Sequence, residues 1–237
     1  SGSTGLPKGV VQKAGTLSSG AARVAATQGY GDHEHILVGI PFAHDYGWGQ
    51  MLSGIVGGHR LILPEREILV DIGKAVTRHQ PSVFAGVPSL YAALLFGISG
   101  FETAQTDSLR LMTSTGSAFS DDLYAALSAR VPQARITRNY GLTETYRSCC
   151  RLPDHPAAPP NCIGKPILGC EIAIVDAEAM PLPAGAEGEI AHMGEGVFDR
   201  YLDDPEATAK ARRAVNGRAA VFTGDIGVMD ESGSVTL

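Results

Sequence analysis

Residues 82–113, SVFAGVPSLYAALLFGISGFETAQTDSLRLMT, decide the fold class of this chain. The run opens with an apolar stretch at 82–86, continues with a helical pattern from Ser89 to Phe96, and closes with a second apolar stretch at 109–113. Neither apolar stretch alternates strictly with polar residues, which is typical of strands covered on both faces. A strand, a helix and a strand with short connections predict a βαβ unit and a parallel sheet.

The same alternation extends outward from this unit. Ser120 is a plausible N-cap for a helix, with Asp121 and Asp122 where the helix dipole favours anions. Further strands are predicted at 36–40, 60–63 and 135–140, and further helices at about 14–27, from near Gly49, and at about 69–79. The first part of the chain is therefore predicted to be an α/β fold, a mainly parallel sheet with flanking helices.

The pattern changes after the Pro-rich stretch at 152–161. Alternating runs separated by turns follow at 171–176, 188–194 and 234–237, with one helical segment at about 205–213. Such alternation predicts an antiparallel, barrel-like or meander β subdomain. We therefore expect two parts, an α/β portion over 1–151 and a mostly β portion over 152–237.

Composition excludes several classes of protein. The chain has 237 residues, of which 44% are hydrophobic, and 19 basic against 25 acidic side chains give a net charge of −6. That apolar content excludes disorder, and the absence of a Lys/Arg cluster argues against nucleic-acid and anionic-membrane partners. Every apolar run is shorter than the ~20 residues that a bilayer span needs, so no transmembrane segment is expected.

The cysteines and two neighbouring histidines offer little sign of a metal site. Cys149 and Cys150 are adjacent, and neither they nor the remaining Cys162 and Cys170 show the C-x-x-C spacing of a zinc site. The pair at 33 and 35 lacks a third ligand nearby in the sequence, which favours a polar turn. Reduced thiols and a start without a signal-peptide pattern predict a cytoplasmic protein.

Three polar segments carry candidate chemistry: SGSTGLPKG at 1–9, NYGLTET at 139–145 and FTGDIG at 222–227. The first is rich in glycine and can wrap phosphates, with Lys8 as a mobile positive charge, although it is not a Walker loop. The second offers the Tyr140 ring for stacking and the Glu144 carboxylate for Mg²⁺. In the third, Asp225 in a Gly-flanked turn could accept from two ribose hydroxyls.

Each of these segments alone is more often a surface turn with a polar tip. Together they supply a phosphate loop, a base platform, a metal carboxylate and a ribose acceptor, so their combination predicts a nucleotide site. A hydrolase of the G-x-S-x-G type is disfavoured, since that pattern is missing from the sequence.

The collinear order of nine segments resembles the adenylate-forming superfamily. That superfamily includes acyl- and aryl-CoA ligases, adenylation domains of nonribosomal peptide synthetases, and luciferases. The resemblance implies that a carboxylate is activated with ATP and Mg²⁺ to an acyl-adenylate, with pyrophosphate released, and is then passed to the thiol of coenzyme A or of phosphopantetheine on an acyl carrier protein. The segments are SGSTGLPKGV, PFAHDYGWG, GVPSLY, STGSAF, NYGLTET, IGKPILG, GEI, GVFDRYLDDPEAT and FTGDIG.

The resemblance also implies a role for individual residues. Tyr140 would stack on adenine, Thr143 would meet the α-phosphate, Glu144 would hold Mg²⁺ and Asp225 would bind the ribose. His44 matches a position at the acyl pocket, and Lys8, His44, Thr143 and Glu144 are the catalytic candidates. The remaining nucleotide-binding candidates are Ser1, Gly2, Ser3, Thr4 and Gly5 around the β- and γ-phosphates, Gly116, Ser117 and Ala118 beside adenine, and Asn139 and Gly141 flanking Tyr140.

The sequence also departs from the family pattern. Thr115 stands where the family often has a second glycine. The chain begins inside the phosphate loop and stops before the hinge and the small C-terminal domain with its catalytic lysine. We therefore expect the central part of a larger enzyme, inactive by itself.

The substrate is left open by the sequence. Asp45 lies near the position at which amino-acid-activating relatives bind the substrate ammonium, but a His-Asp pair also occurs in acyl-activating members. We favour a carboxylic acid without an α-amino group. The alternatives are an amino-acid adenylation domain and a remnant that binds nucleotide, or a partner, without turnover.

Overall fold

The computed structural model describes residues 7–153, 159 and 161–237, which form two compact units. Unit 1 comprises Ser1–Thr27, Tyr140–Cys150 and Asn161–Leu237, and unit 2 comprises Gln28–Asn139 and Arg151–Pro160. Within unit 1 an early strand pairs with a late one, since Val10 lies opposite Tyr201. The predicted domains 1–151 and 152–237 stay a prediction.

The helices and strands in the described residues have the following bounds. The helices are α1 (Ala14–Gln28), α2 (Asp45–Gly57), α3 (Leu69–His79), α4 (Pro88–Phe96), α5 (Asp121–Arg130) and α6 (Pro205–Ala211). The strands are β1 (Val10–Val11), β2 (His35–Val38), β3 (Arg60–Ile62), β4 (Val83–Gly86), β5 (Leu111–Ser114), β6 (Arg135–Tyr140), β7 (Cys149–Arg151), β8 (Cys162–Pro166), β9 (Cys170–Val175), β10 (Glu187–Gly194), β11 (Arg200–Tyr201), β12 (Arg212–Val215), β13 (Arg218–Met229) and β14 (Val235–Thr236).

Unit 2 contains the parallel sheet that the sequence predicted, in the order β3-β2-β4-β5-β6. Side chains on successive strand positions enter two separate cores, as period-two geometry requires. One core packs Leu37, Phe84 and Met112 with apolar residues of α3, α4 and α5. The other packs Ile36 and its neighbours against Tyr46 of α2. Both sheet faces are therefore covered, which explains the unbroken apolar runs.

Two helix boundaries in unit 2 bear on the sequence predictions. Ser120 caps α5 as expected, its hydroxyl accepting from the Leu123 amide at 3.3 Å. The α2 helix, however, begins at Asp45 rather than near Gly49, because His44 already has the extended backbone of an N-cap. Gly47 hides the helical pattern: a Cβ there would lie 2.3 Å from the Pro41 carbonyl oxygen, so only glycine fits.

Unit 1 contains an antiparallel sheet, which confirms the antiparallel part of the prediction. The strands β9, β10 and β14 correspond to the predicted runs, while β7, β8 and β12 add strands that the sequence did not reveal. Helix α6 ends at Ala211 rather than at 213, since Arg212 already pairs with Val221 of β13.

The segment 222–227 is a bulge inside β13 and not the predicted turn. Glu189 pairs with Ile226 and Ala191 with Phe222, so three residues of β13 lie opposite Ile190 alone. Gly224 in this bulge has φ +77°, which favours glycine. Bulges re-aim side chains next to functional sites, and this one carries Asp225.

None of the helices within the described residues is both long enough and apolar enough to cross a bilayer. Within the same residues, no three His, Cys, Asp or Glu side chains are grouped as a metal site would require. All four cysteines are buried free thiols. Most of the Pro-rich stretch 152–161 lies outside the described residues.

Candidate functional site

In unit 1 the structure joins two predicted nucleotide-binding residues directly. The Tyr140 hydroxyl at the end of β6 donates to Asp225 Oδ2 at 2.5 Å, although 85 positions separate the two in the sequence. The Asp225 amide in turn donates to Thr223 Oγ1 at 3.2 Å. Burial, and then the bond to Asp225, raises the pKa of Tyr140, so its phenol stays protonated and acts as the donor.

A second cluster in unit 1 joins Glu144 with Lys8 through Tyr201. Glu144 is 4% exposed, and its Oε1 accepts from the Tyr201 hydroxyl at 2.6 Å. Lys8 Nζ lies 5.1 Å from the centroid of the Tyr201 ring, within range of a cation–π contact. The pairing of β1 with β11 brings Lys8 near Tyr201, because Val10, two residues after Lys8, lies opposite Tyr201. Burial, followed by the bond to Glu144, raises the pKa of Tyr201.

The loop that carries Thr143 and Glu144 is held through its backbone. The Thr143 carbonyl accepts from Gln12 Nε2 at 3.1 Å, and the Glu144 carbonyl accepts from the Phe198 amide at 3.0 Å. Gly141 is required by close approach, since a Cβ there would lie 2.8 Å from Arg147 Cα. The Thr143 residue itself stays partly exposed on this held backbone.

In unit 2, Asn139 connects the ends of β5 and β6. The side-chain Nδ2 of Asn139 donates to Thr113 Oγ1 at 2.9 Å and to the Ser114 carbonyl at 3.0 Å. The backbone carbonyl of Asn139 accepts from Thr115 Oγ1 at 2.9 Å. The Tyr46 hydroxyl of α2 donates to the Thr113 carbonyl at 2.9 Å. Thr115, which replaces a frequent family glycine, thus has a hydrogen-bonding role of its own.

The other candidates of unit 2 lie on its surface. Gly116, Ser117 and Ala118 follow β5 as an exposed segment, in which Gly116 has φ +96°. His44 and Asp45 are exposed at the start of α2, with the Asp45 carboxylate in the first turn. The residues Ser1, Gly2, Ser3, Thr4 and Gly5 lie outside the described residues.

Sequence reasoning missed Tyr201 and the contacts of Tyr46. The segment GVFDRYLDDPEAT contains Tyr201 and was used only for the resemblance, because nothing in its local pattern points at a carboxylate 57 positions away. Tyr46 is buried, at 3% exposure, and no local pattern in the sequence indicates its bond to Thr113.

Comparison with known protein families places these clusters in context. The family model described as AMP-binding enzyme matches residues 1–202. The chain belongs to the AMP-binding enzyme family. The fold of the chain matches the solved structure of VinN with a TM-score of 0.88 at 28% identity, covering all of this chain and 58% of VinN.

Two curated CoA ligases are similar to the chain over nearly its whole length. The 4-coumarate–CoA ligase 2 of Oryza sativa subsp. japonica is 31% identical over 100% of this chain and 43% of its own length. The 2-succinylbenzoate–CoA ligase of Bacillus velezensis is 29% identical over 98% of this chain and 46% of its own length. The chain thus spans less than half the length of these curated relatives.

Proposed function

We propose that the protein carrying this chain activates a carboxylic acid with ATP, forming an acyl-adenylate and releasing pyrophosphate, and then transfers the acyl group to a thiol. The proposal is supported by family membership and by the names of the two CoA ligases. The observation that carries it is the Lys8–Tyr201–Glu144 cluster, in which one tyrosine contacts both the Lys8 ammonium group and the Glu144 carboxylate in one unit. A nucleotide-binding remnant without turnover would not need a fixed, buried carboxylate.

Tyr140 and Asp225 are proposed to hold the nucleoside. The ring of Tyr140 offers a face for base stacking, which is worth about 1–3 kcal/mol per base. Asp225 Oδ2 is occupied by the Tyr140 hydroxyl, and its carboxylate retains acceptor capacity for ribose hydroxyls. The bond between the two residues fixes the distance between base and ribose contacts before nucleotide arrives.

The fit of unit 1 to Mg²⁺ rests on Glu144. This carboxylate is buried, and its hydrogen-bond donor is the neutral phenol of Tyr201. A buried carboxylate is stable only when its charge is compensated, so the site suits a bound cation. Mg²⁺ is commonly held by one or two carboxylates together with waters and phosphate oxygens, which this donor set allows. When bound, Mg²⁺ neutralises phosphate charge.

The chain's own residues are proposed to bind and orient rather than to transfer protons. A carboxylic acid substrate is already ionised near pH 7, so its attack on the α-phosphorus needs no general base. Lys8 and the Thr143 hydroxyl would contact phosphate oxygens, and fixed orientation supplies much of the rate. The assignments of His44 to the acyl pocket, and of Gly116, Ser117, Ala118, Asn139, Gly141 and residues 1–5 to the nucleotide, are part of this proposal.

Coenzyme A is the acyl acceptor that the two ligase relatives favour. Phosphopantetheine on an acyl carrier protein and a cytoplasmic location stay predictions from the sequence. A non-amino carboxylic acid is the proposed substrate. An amino acid is the second candidate, because VinN, 27% identical in that structure, has been solved with L-aspartate.

The test is ATP–pyrophosphate exchange by the protein that carries this chain, with a panel of aryl, fatty and amino acids. We expect exchange with at least one aryl or fatty acid, and thioester formation when coenzyme A is added. Glu144→Gln serves as the matched negative control, because it removes the charge and keeps the shape. Nucleotide binding without exchange for any acid would favour the remnant instead. Residues 1–237 alone are expected to form no thioester.

A further inference from the structure

A buried polar chain runs from the end of β10 to the loop that carries Glu144, and the proposed function does not use it. Three residues with no solvent exposure form it: His192, Ser148 and Thr145. His192 Nε2 lies 2.8 Å from the Glu195 carbonyl oxygen, and His192 Nδ1 lies 3.0 Å from Ser148 Oγ. Ser148 Oγ lies 3.0 Å from Thr145 Oγ1, which accepts from the Leu142 amide at 3.0 Å.

The proton positions at the His192 end of this hydrogen-bonded series follow from chemistry. A carbonyl oxygen only accepts, so His192 Nε2 carries the proton that is donated to Glu195. Burial lowers the pKa of His192 to about 4, so the ring is neutral and Nδ1 is an acceptor. Ser148 Oγ lies 3.0 Å from Nδ1 and donates to Thr145 Oγ1 at 3.0 Å, and the Thr145 hydroxyl donates to the Leu142 carbonyl at 3.2 Å. The Ser148 hydroxyl thus links the imidazole to the loop.

This hydrogen-bonded series ends at the Leu142 amide, in the loop that carries Thr143 and Glu144. Leu142 lies between Gly141, where the backbone approaches Arg147 closely, and Thr143. The Leu142 carbonyl accepts from the Thr145 amide at 3.0 Å and from the Thr145 hydroxyl at 3.2 Å, so Thr145 holds both polar backbone groups of Leu142. At the His192 end of the series, the turn after β10 packs closely against the same loop. A Cβ on Gly196 would lie 2.3 Å from the Thr145 carbonyl oxygen.

We propose that His192, acting through Ser148 and Thr145, is a positioning residue that fixes the loop of residues 141–145 and thereby the Thr143 hydroxyl and the Glu144 carboxylate. The inference rests on the proposed function for the meaning of those two groups. A histidine that merely satisfied the sheet would end its hydrogen bonds on strand backbone. This one connects, through two hydroxyls, to an amide inside the candidate catalytic loop.

The first measurement does not depend on activity. Amide hydrogen exchange of residues 141–145 is compared in the wild type, Ser148→Ala and Thr137→Val. Thr137 is the matched control, because its hydroxyl is equally buried and donates to Gln28 Oε1 at 3.0 Å within unit 2. We expect Ser148→Ala to lose protection at the Leu142 amide, whereas Thr137→Val keeps it. Unchanged protection in Ser148→Ala overturns the inference.

The second measurement is pyrophosphate exchange by Ser148→Ala, His192→Leu and the double variant. Misplacement of a catalytic group by 1 Å can cost about 100-fold, so each single variant is expected to lose roughly tenfold or more in kcat. Because both single substitutions interrupt the same hydrogen-bonded series, the double variant should lose little more activity than the worse single variant. His192→Gln, whose amide supplies an acceptor and a donor, should recover part of the rate.

Binding of adenosine without Mg²⁺ separates positioning from loss of structure, because adenosine has no phosphate for Thr143 to contact. Tyr140 and Asp225 also lie in unit 1, so unchanged adenosine affinity shows that unit 1 is intact; a parallel fall in adenosine affinity and kcat overturns the inference. If His192→Leu does not fold, Ser148→Ala alone decides. A wild type without exchange for any acid refutes the proposed function, while hydrogen exchange still tests the hold on the loop.

Discussion

The candidate residues of the two units are held in different ways. In unit 1, side chains from distant parts of the sequence hold the functional groups themselves: Asp225 accepts from Tyr140, and Tyr201 donates to Glu144. In unit 2, the hydrogen bonds secure the strand ends behind the candidates, through Asn139 and Thr113, while His44 and the segment 116–118 stay exposed. Unit 1 thus holds its candidate groups through side-chain hydrogen bonds, whereas the candidate residues at His44 and 116–118 in unit 2 are exposed.

Removal of the Glu144 charge is the strongest challenge to this contrast. Loss of one preorganised electrostatic group costs about 100- to 1,000-fold in rate in other enzymes, so Glu144→Gln should lose a comparable factor in adenylation. The apparent affinity for the carboxylic acid should change little. The measurement is pyrophosphate exchange at limiting Mg²⁺, and an intact rate there would remove the metal role of Glu144.

Replacement of Tyr140 tests whether ring and hydroxyl contribute separately. Tyr140→Ala removes a stacking contact worth about 1–3 kcal/mol, so ATP affinity should fall roughly tenfold or more. Tyr140→Phe keeps the ring and removes only the bond to Asp225, so it should show a smaller loss. Calorimetric titration with ATP distinguishes the two. Equal affinity in the wild type, Tyr140→Ala and Asp225→Ala would contradict the nucleoside assignment.

Tyr201→Phe tests the orientation of Glu144 with the ring still in place. A hydrogen bond to a charged group is worth about 1.5–3 kcal/mol, so exchange should slow by about tenfold and the Mg²⁺ requirement should rise. Ring stacking under Lys8 is retained in this variant. An unaltered Mg²⁺ dependence would show that Glu144 keeps its place without the phenol.

These three positions also show how far the sequence could predict the molecule. The parallel sheet of unit 2 was predictable, because apolar runs such as 82–86 report burial on both faces. Tyr140, Glu144 and Asp225 were found by motif and resemblance. Tyr201, which donates to Glu144, was not predicted. The pairing of β1 with β11 brings Tyr201 to Lys8, and no local sequence pattern encodes that pairing. In the sequence the bulge at Asp225 resembled a turn, because glycines are common both in bulges and in turns.

The pH dependence of stability tests the neutral His192 on which unit 1 relies. Burial lowers its pKa from 6.5 to about 4, with the positive charge of Arg23 adding to the effect. Between those values the unfolded chain binds a proton that the folded chain rejects, so the free energy of unfolding falls as the pH drops from about 6.5 to about 4. The loss from this group is on the order of 3 kcal/mol.

The measurement is urea unfolding across that pH range in the wild type and His192→Leu. His59, whose pKa burial also lowers, contributes in the same window, so the difference between the two proteins is the informative quantity. The His192→Leu curve should be flatter, and the exposed His79→Asn should follow the wild type. Parallel curves for wild type and His192→Leu would mean that His192 binds its proton equally well in the folded and the unfolded chain.

The smallest effect is expected at Asp45, and it tests the exposed side of the comparison. Asp45 lies in the first turn of α2, where a carboxylate favours the helix N-terminus whatever the substrate. If the substrates are carboxylic acids without an α-amino group, Asp45→Ala should leave exchange with aryl and fatty acids unchanged. If Asp45 instead binds a substrate ammonium, the same variant should abolish exchange with amino acids only. Exchange with an amino acid in the wild type, lost in Asp45→Ala and retained in Asp122→Ala, the matched change in the first turn of α5, would make the protein an amino-acid-activating enzyme, with unit 2 supplying a fixed charge rather than an adaptable surface.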